Sequence, residues 1–190
     1  TQFLRDFIVS IPTIETCDVV PYVGQADRVE DFRRTFGGPQ GVAQVQEDLG
    51  QRILAAFEEQ FERGCEKVLV IGSDTPQLST DVIVEAINAL DINDSVIGPA
   101  DDGGYYLLGF RRNRFLEDVF QNMEWSVDSV YDETFSRLVS NNRLVYVLPV
   151  LTDVDTVDSL KTVVEEYRGT DFSKSKSYQL MEDVICQKQI

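Results

Sequence analysis

Residues 68 to 76 read Val-Leu-Val-Ile-Gly-Ser-Asp-Thr-Pro, an apolar run that stops at a carboxylate and a turn. The pattern places Asp74 at the carboxyl end of a strand. In open α/β sheets ligands bind in the crevice beyond those ends, so an acid there is a candidate for holding a metal and its phosphate-bearing substrate. Gly98 to Gly109 carries the second group, Gly-Pro-Ala-Asp-Asp-Gly-Gly-Tyr-Tyr-Leu-Leu-Gly. Asp-Gly-Gly suits a tight turn, because glycine accepts positive φ at no steric cost. Paired glycines also let a ligand approach backbone N–H groups, and Asp101 and Asp102 can bind metal or substrate hydroxyls.

A third group lies in Leu151 to Leu160, where Asp153 and Asp155 sit between a strand and a helix. If the strand continues through them they point to opposite sides, and only one easily faces the site. As acids at a helix start they would favour the helix dipole instead. Asp48 and Arg52 are four apart at the head of another helix and can pair along one face, or Arg52 can meet a phosphate. Trp125 either packs over the sheet edge or lines an acceptor pocket. Tyr105 and Tyr106 alternate, so one faces the core and the other is free to face the cleft.

Composition narrows the chemistry. The 190 residues are long enough for one well-buried domain, and 43% apolar with 26% charged residues is ordinary for a soluble globular protein. A net charge of -16 repels nucleic-acid backbone and anionic lipid, and would repel a nucleotide too unless a divalent cation is interposed. Apolar runs are strand-length, well short of the ~20 residues that cross a bilayer. No signal segment opens the chain, so it reads as cytoplasmic, with no nucleic-acid or membrane partner. With no histidine, Ser-His-Asp triads and ordinary zinc sites cannot be built from this chain alone. Cys17, Cys65 and Cys186 are odd in number and lack CxxC spacing, which suits reduced thiols.

The elements that must position these acids follow from apolar periodicity. Gln2 to Ile11 has helical spacing, and Cys17 to Val23 reads as a strand. Val42, Val45, Leu49, Ile53, Phe57 and Phe61 repeat every three or four residues and stop before Gly64, which predicts a helix with a glycine C-cap. Lys67 to Gly72 is a buried strand, and Ser79 or Thr80 caps a helix facing inward through Ile83, Ala86, Ile87 and Leu90. Ser95 to Pro99 and Tyr105 to Phe110 are extended. Val127 to Val139 is helical, Arg143 to Leu151 is a strand, and Thr156 caps a last helix. The order α-β-α-β-α-β-β-α-β-α predicts a three-layer α/β/α sandwich with a mostly parallel sheet. Ser173 to Ser177 resembles a linker, and the apolar residues from Tyr178 to Ile185 predict a short helix docking on its own domain or on a second subunit, a possible homodimer contact.

Gly-Ser-Asp-Thr-Pro, the Asp102-Gly103-Gly104-Tyr105 segment, Trp125-Ser126 and Asp-Val-Asp-Thr together resemble a glycosyltransferase-like family related to 2-phospholactate guanylyltransferase and molybdenum cofactor guanylyltransferase. These belong to the nucleotide-diphospho-sugar transferase superfamily, with the glycosyltransferase A fold. The similarity covers roughly residues 1 to 167, so 1–168 is expected to be the transferase-like domain and 169–190 a linker and tail. The resemblance implies Mg²⁺ (or Mn²⁺) held by Asp74 and Asp155. Asp102, Gly103 and Gly104 would then sit where the acceptor or sugar binds, and Asp48 to Arg52 is a further similar block. Members begin with a strand and a basic glycine-containing phosphate loop. This sequence opens inside a helix, so that first strand and loop are expected to be missing.

The expected activity is a metal-dependent transferase acting on a nucleotide or nucleotide-sugar and a small acceptor. A nucleotidyltransferase would use Asp74 and Asp155 to align an acceptor phosphate with the nucleotide α-phosphorus. In a glycosyltransferase the same clamp would steady the leaving nucleoside diphosphate while Asp102 or a neighbour positions or deprotonates the acceptor hydroxyl. The alternative of a different class is a nucleotide-binding or scaffold protein that keeps the fold without turnover.

Overall fold

The computed structural model describes residues 2–10, 14, 17–37, 40–125 and 127–188. The Ile11 end of the expected first helix and Ser126 of the tryptophan-serine pair lie outside the described residues. In chain order the elements are α1 (Gln2–Ser10), β1 (Tyr22–Val23), α2 (Val29–Phe36), β2 (Val42–Ala43), α3 (Leu49–Glu62) and β3 (Lys67–Ile71). They continue with α4 (Thr80–Ala89), β4 (Ser95–Pro99), β5 (Tyr105–Arg111), α5 (Val130–Ser140), β6 (Val145–Val147), α6 (Val157–Glu166) and α7 (Lys176–Lys188).

The central sheet has strand order β3-β5-β4-β6. Strand β5 is antiparallel to both β3 and β4, while β4 and β6 are parallel. Three of the four strands therefore point the same way, and only β5, which returns from the Asp-Gly-Gly turn, opposes them. Alternation along the strands splits the core into two faces. Val96 and Leu107 pack with Ile83 and Ala86 of α4 and with Leu90 just after it. Ile97, Leu108 and Phe110 pack with Phe57 and Phe61 of α3 and Leu138 of α5 on the other. Helices thus cover both faces, the three-layer α/β/α architecture. Among the described residues no helix is long and apolar enough to cross a membrane.

Local chemistry sets the boundaries. Ser79 caps α4, its hydroxyl accepting from the Val82 N–H, and Thr156 with Ser159 forms a capping box at α6. The helix expected from Val42 starts only at Leu49, because Asp48 is extended there and its side chain accepts from the Gln51 N–H. Val42 and Gln44 instead donate their backbone N–H groups to the carbonyls of Pro21 and Val23, which makes β1 and β2 a separate parallel pair. The expected strands Cys17 to Val23 and Arg143 to Leu151 shorten to Tyr22–Val23 and Val145–Val147. Leu151 keeps one isolated bridge to Ala100.

Helix α2 was not anticipated by the periodicity. It has acids in its first turn, Arg33 and Arg34 in its last, and a Phe32–Phe36 ring pair at 4.7 Å. The expected helix from Val127 begins at Val130. The Ser/Lys-rich stretch is not extended, since Phe172–Lys174 forms a single helical turn leading into α7. Tyr178 and Met181 of α7 bury against Val163 and Val164 of α6. The Ser177 N–H donates to Asp6 of α1 at 2.8 Å, so the tail docks on its own chain.

Candidate active site

Strand β3 ends where the Gly72 N–H donates to the Tyr106 carbonyl at 2.9 Å. Beyond it the chain leaves the sheet and carries Asp74, which is half-buried. On the β4–β5 hairpin, Asp102 is exposed and its Oδ1 accepts the Gly104 N–H at 2.9 Å. The residues after Leu151 turn back towards β3, and the Val154 N–H donates to the Asp74 carbonyl at 2.9 Å. Three side-chain bonds accompany this return. Thr75 Oγ1 donates to Asp153 Oδ1 at 2.7 Å, Gln77 Nε2 to the Thr152 carbonyl at 2.6 Å, and Thr152 Oγ1 to Asp101 Oδ2 at 2.8 Å.

These connections draw Asp74, Asp102, Asp153 and Asp155 into one electrostatic group. Burial raises the Asp74 carboxyl above its ordinary value, the Asp155 and Asp102 charges add to that, and its own backbone N–H opposes it. Asp153 is pushed up to about 6, first by burial and then by the charges of Asp74, Asp102 and Asp155, against the Thr75 hydrogen bond. Both Asp153 and Asp155 therefore feel Asp74. The strand through 153–155, on which the two acids would have pointed to opposite sides, is not formed, since regular pairing ends at Val147.

Asp153 makes the electrostatic strain measurable. Its folded value near 6 exceeds the ~3.9 of an unfolded Asp, so the folded state binds the extra proton between those values and stability falls as pH rises through that window. Asp153→Asn removes this penalty and keeps an oxygen for the Thr75 hydroxyl. Allowing for partial solvent screening, the variant is expected to be more stable at pH 8 by about 1 kcal/mol, or roughly 2–4 °C in melting temperature. Thermal melts at pH 4 and pH 8 check this. The difference should vanish at pH 4, and a destabilised variant at pH 8 would contradict the assignment.

Asp48, Arg52, Trp125 and Tyr105 make no hydrogen bond to the four acids among the described residues. Asp48 caps α3, and Arg52 Nε donates to the Glu47 carbonyl at 2.8 Å, so these two do not pair with each other. The Trp125 indole lies against Gly50 in the first turn of α3, where a Cβ would meet it at 2.5 Å. Trp125 packs against the α3–α5 side of the core. Tyr105 packs there as well and Tyr106 on the opposite face. Burial holds the Tyr105 phenol well above its ordinary value. Gly103 and Gly104 form the turn beside Asp102. Thr75, Gln77 and Thr152 were not singled out in the sequence. Their only signal was position, two short polar stretches flanking acids at strand ends.

Among the described residues no Lys or Arg pairs with any of the four acids. Nor, among those residues, are three acids or cysteines arranged as a ready metal cage. Hard carboxylate oxygens with uncompensated charge nonetheless suit Mg²⁺ or Mn²⁺. Mg²⁺ commonly uses one or two carboxylates and completes its shell with water and substrate phosphates. Asp74 and Asp155 fit that pattern.

Comparison with known proteins follows the same lines. A candidate nucleotide-diphospho-sugar transferase from Desulfovibrio desulfuricans is similar to the chain at 34% identity, with 96% of this chain and 80% of that one covered and a TM-score of 0.89. A cytidylyltransferase from Leptospira borgpetersenii shares the fold at 13% identity, 98% and 84% coverage and TM-score 0.59. A Mycobacterium tuberculosis protein in complex with manganese does so at 16% identity, 85% coverage of each chain and TM-score 0.57. Nothing among the curated proteins matches the chain. Residues 10–127 match the family described as "Uncharacterized protein conserved in bacteria (DUF2064)". That match spans more than half of the sequence, and the chain belongs to this family.

Proposed function

We propose that the chain is a divalent-metal-dependent transferase that acts on a nucleotide or nucleotide-sugar. The observation that carries the reading is that Asp74 is half-buried beyond the end of β3, feels the charges of Asp155 and Asp102, and that none of the three is paired with a Lys or Arg among the described residues. Mg²⁺ or Mn²⁺ held by Asp74 and Asp155 would neutralise that charge and supply Lewis-acid polarisation of phosphate oxygens. The likeness to the Desulfovibrio protein supports a nucleotide-diphospho-sugar as substrate class, and the manganese complex of a protein with this fold supports the metal.

The chain's own groups then divide the work. Asp74 and Asp155 fix where a diphosphate sits. Asp102, exposed on the β4–β5 turn, is placed to orient or deprotonate an acceptor hydroxyl. Its carboxylate is already held by the Gly104 N–H, which fixes its direction. Tyr105 and Trp125 belong to the walls rather than the chemistry.

Titration calorimetry of the full chain with Mn²⁺ or Mg²⁺ present, against nucleoside triphosphates and nucleotide-diphospho-sugars, tests the reading. Binding that needs the metal is expected. If none of these ligands binds with metal present, the transferase reading fails. Product analysis then separates the two chemistries, since nucleotidyl transfer releases pyrophosphate and glycosyl transfer releases a nucleoside diphosphate.

A further inference from the structure

Strands β3 and β6, which deliver Asp74 and Asp155, are the two opposite edges of the four-stranded sheet. Three strand spacings separate them, about 14 Å at the usual inter-strand distance. Sheet geometry alone would keep the two acids too far apart to share a ligand. Yet the Val154 N–H, one residue before Asp155, reaches the Asp74 carbonyl at 2.9 Å. The return of the 152–155 segment across the β4 and β5 ends closes that distance.

We propose that Thr75 and Gln77 are positioning residues that hold this return and so set the spacing of Asp74 and Asp155. Both side chains are almost fully buried, at 3% and 5% exposure, directly after Asp74. Thr75 engages Asp153, and Gln77 engages the Thr152 carbonyl, both next to the point where Val154 meets Asp74. Only the amide NH₂ of Gln77 can face a carbonyl, so its orientation is fixed. Its Oε1 is then left buried with no hydrogen-bond partner among the described residues. A buried polar group left unpaired costs stability and calls for an explanation, and here the bond it permits is the bridge between the two acid-bearing loops. Asp101 anchors the near end of the same bridge through Thr152.

The role in metal binding rests on the reading of Asp74 and Asp155 as a metal pair, but the bridge itself can be tested without metal. Amide exchange of Val154 in the metal-free full chain is compared among the native protein, Thr75→Val, Gln77→Met and the conservative Thr75→Ser. Protection at Val154 is expected to fall at least about tenfold in the first two variants and to be largely retained in Thr75→Ser, while Leu107 and Leu108 of β5 keep theirs. Unchanged protection at Val154, or an equal fall across β4 and β5, would overturn the proposal in favour of a merely structural role. Mn²⁺ uptake, read by the spectrum of the free ion, should weaken about 10–100-fold in the same two variants. Native protein that takes up no Mn²⁺ would count against the metal reading of the site, while Val154 exchange would still decide the bridge.

Discussion

Asp74→Asn is expected to abolish most metal-dependent nucleotide binding while making the metal-free protein more stable. Two carboxylates are a minimal set for a hard divalent ion, so loss of one charged ligand should weaken the ternary complex about 100-fold, or ~2.7 kcal/mol. The opposite sign in the metal-free state follows from the carboxyl's surroundings. Burial and the Asp155 and Asp102 charges raise Asp74, so its ionised form is disfavoured in the fold. A raised carboxyl gives a penalty that grows as pH rises above the unfolded value and fades as pH falls towards it. Asparagine removes the charge and retains an oxygen for the residue's own backbone N–H. Discounted for half-burial, the gain should be below about 1 kcal/mol at pH 7.5. Calorimetry with Mn²⁺ and a nucleotide, paired with thermal melts without metal, reads both effects. Undiminished binding in the variant would remove Asp74 from the metal site.

This pairing of lost binding with gained stability is the signature of residues kept for chemistry at the expense of the fold. The strand ending at Asp74, the caps at Ser79 and Thr156 and the Asp-Gly-Gly hairpin depend on neighbours within a few residues. They were legible because apolar period, cap and turn chemistry are local. The antiparallel direction of β5 follows from that same turn.

Long-range partners were not legible. Val42 continues the apolar spacing of α3, yet it and Ala43 pair with Tyr22 and Val23, because the carbonyls of Pro21 and Val23 lie within reach only after folding. The short β6 and the turn-back after it depend on where Ala100 meets Leu151. Asp153 was weighed as a strand residue or a helix-start acid, whereas its environment is set by Thr75, 78 positions away. The sequence marked the acids at strand ends. The path that brings opposite sheet edges together belongs to tertiary structure.

Gly103→Ala is expected to be the most damaging small substitution near the site. Gly103 has φ of +90°, which L side chains rarely adopt, and a Cβ there would lie 2.0 Å from the Asp128 carbonyl oxygen and 2.5 Å from its carbon. Both atoms are backbone and cannot swing aside. The Gly103 carbonyl also accepts the Tyr131 N–H at 2.8 Å, which stitches the turn to the start of α5. Strain and clash together should cost about 2–4 kcal/mol, or roughly 5–15 °C in melting temperature. Gly169→Ala separates the two causes. That residue has φ of +80° with nothing within 4 Å of a Cβ, so it should lose only the strain, about 1 kcal/mol. Relief of the clash at position 103 requires the turn to move away from Asp128, and Asp102, held one residue earlier by the Gly104 N–H, must move with it. At temperatures where Gly103→Ala remains folded, its nucleotide affinity should therefore fall below that of Gly169→Ala. Equal melting temperatures for the two variants would mean that the α5 start yields readily, and that the turn is not rigidly placed by Asp128.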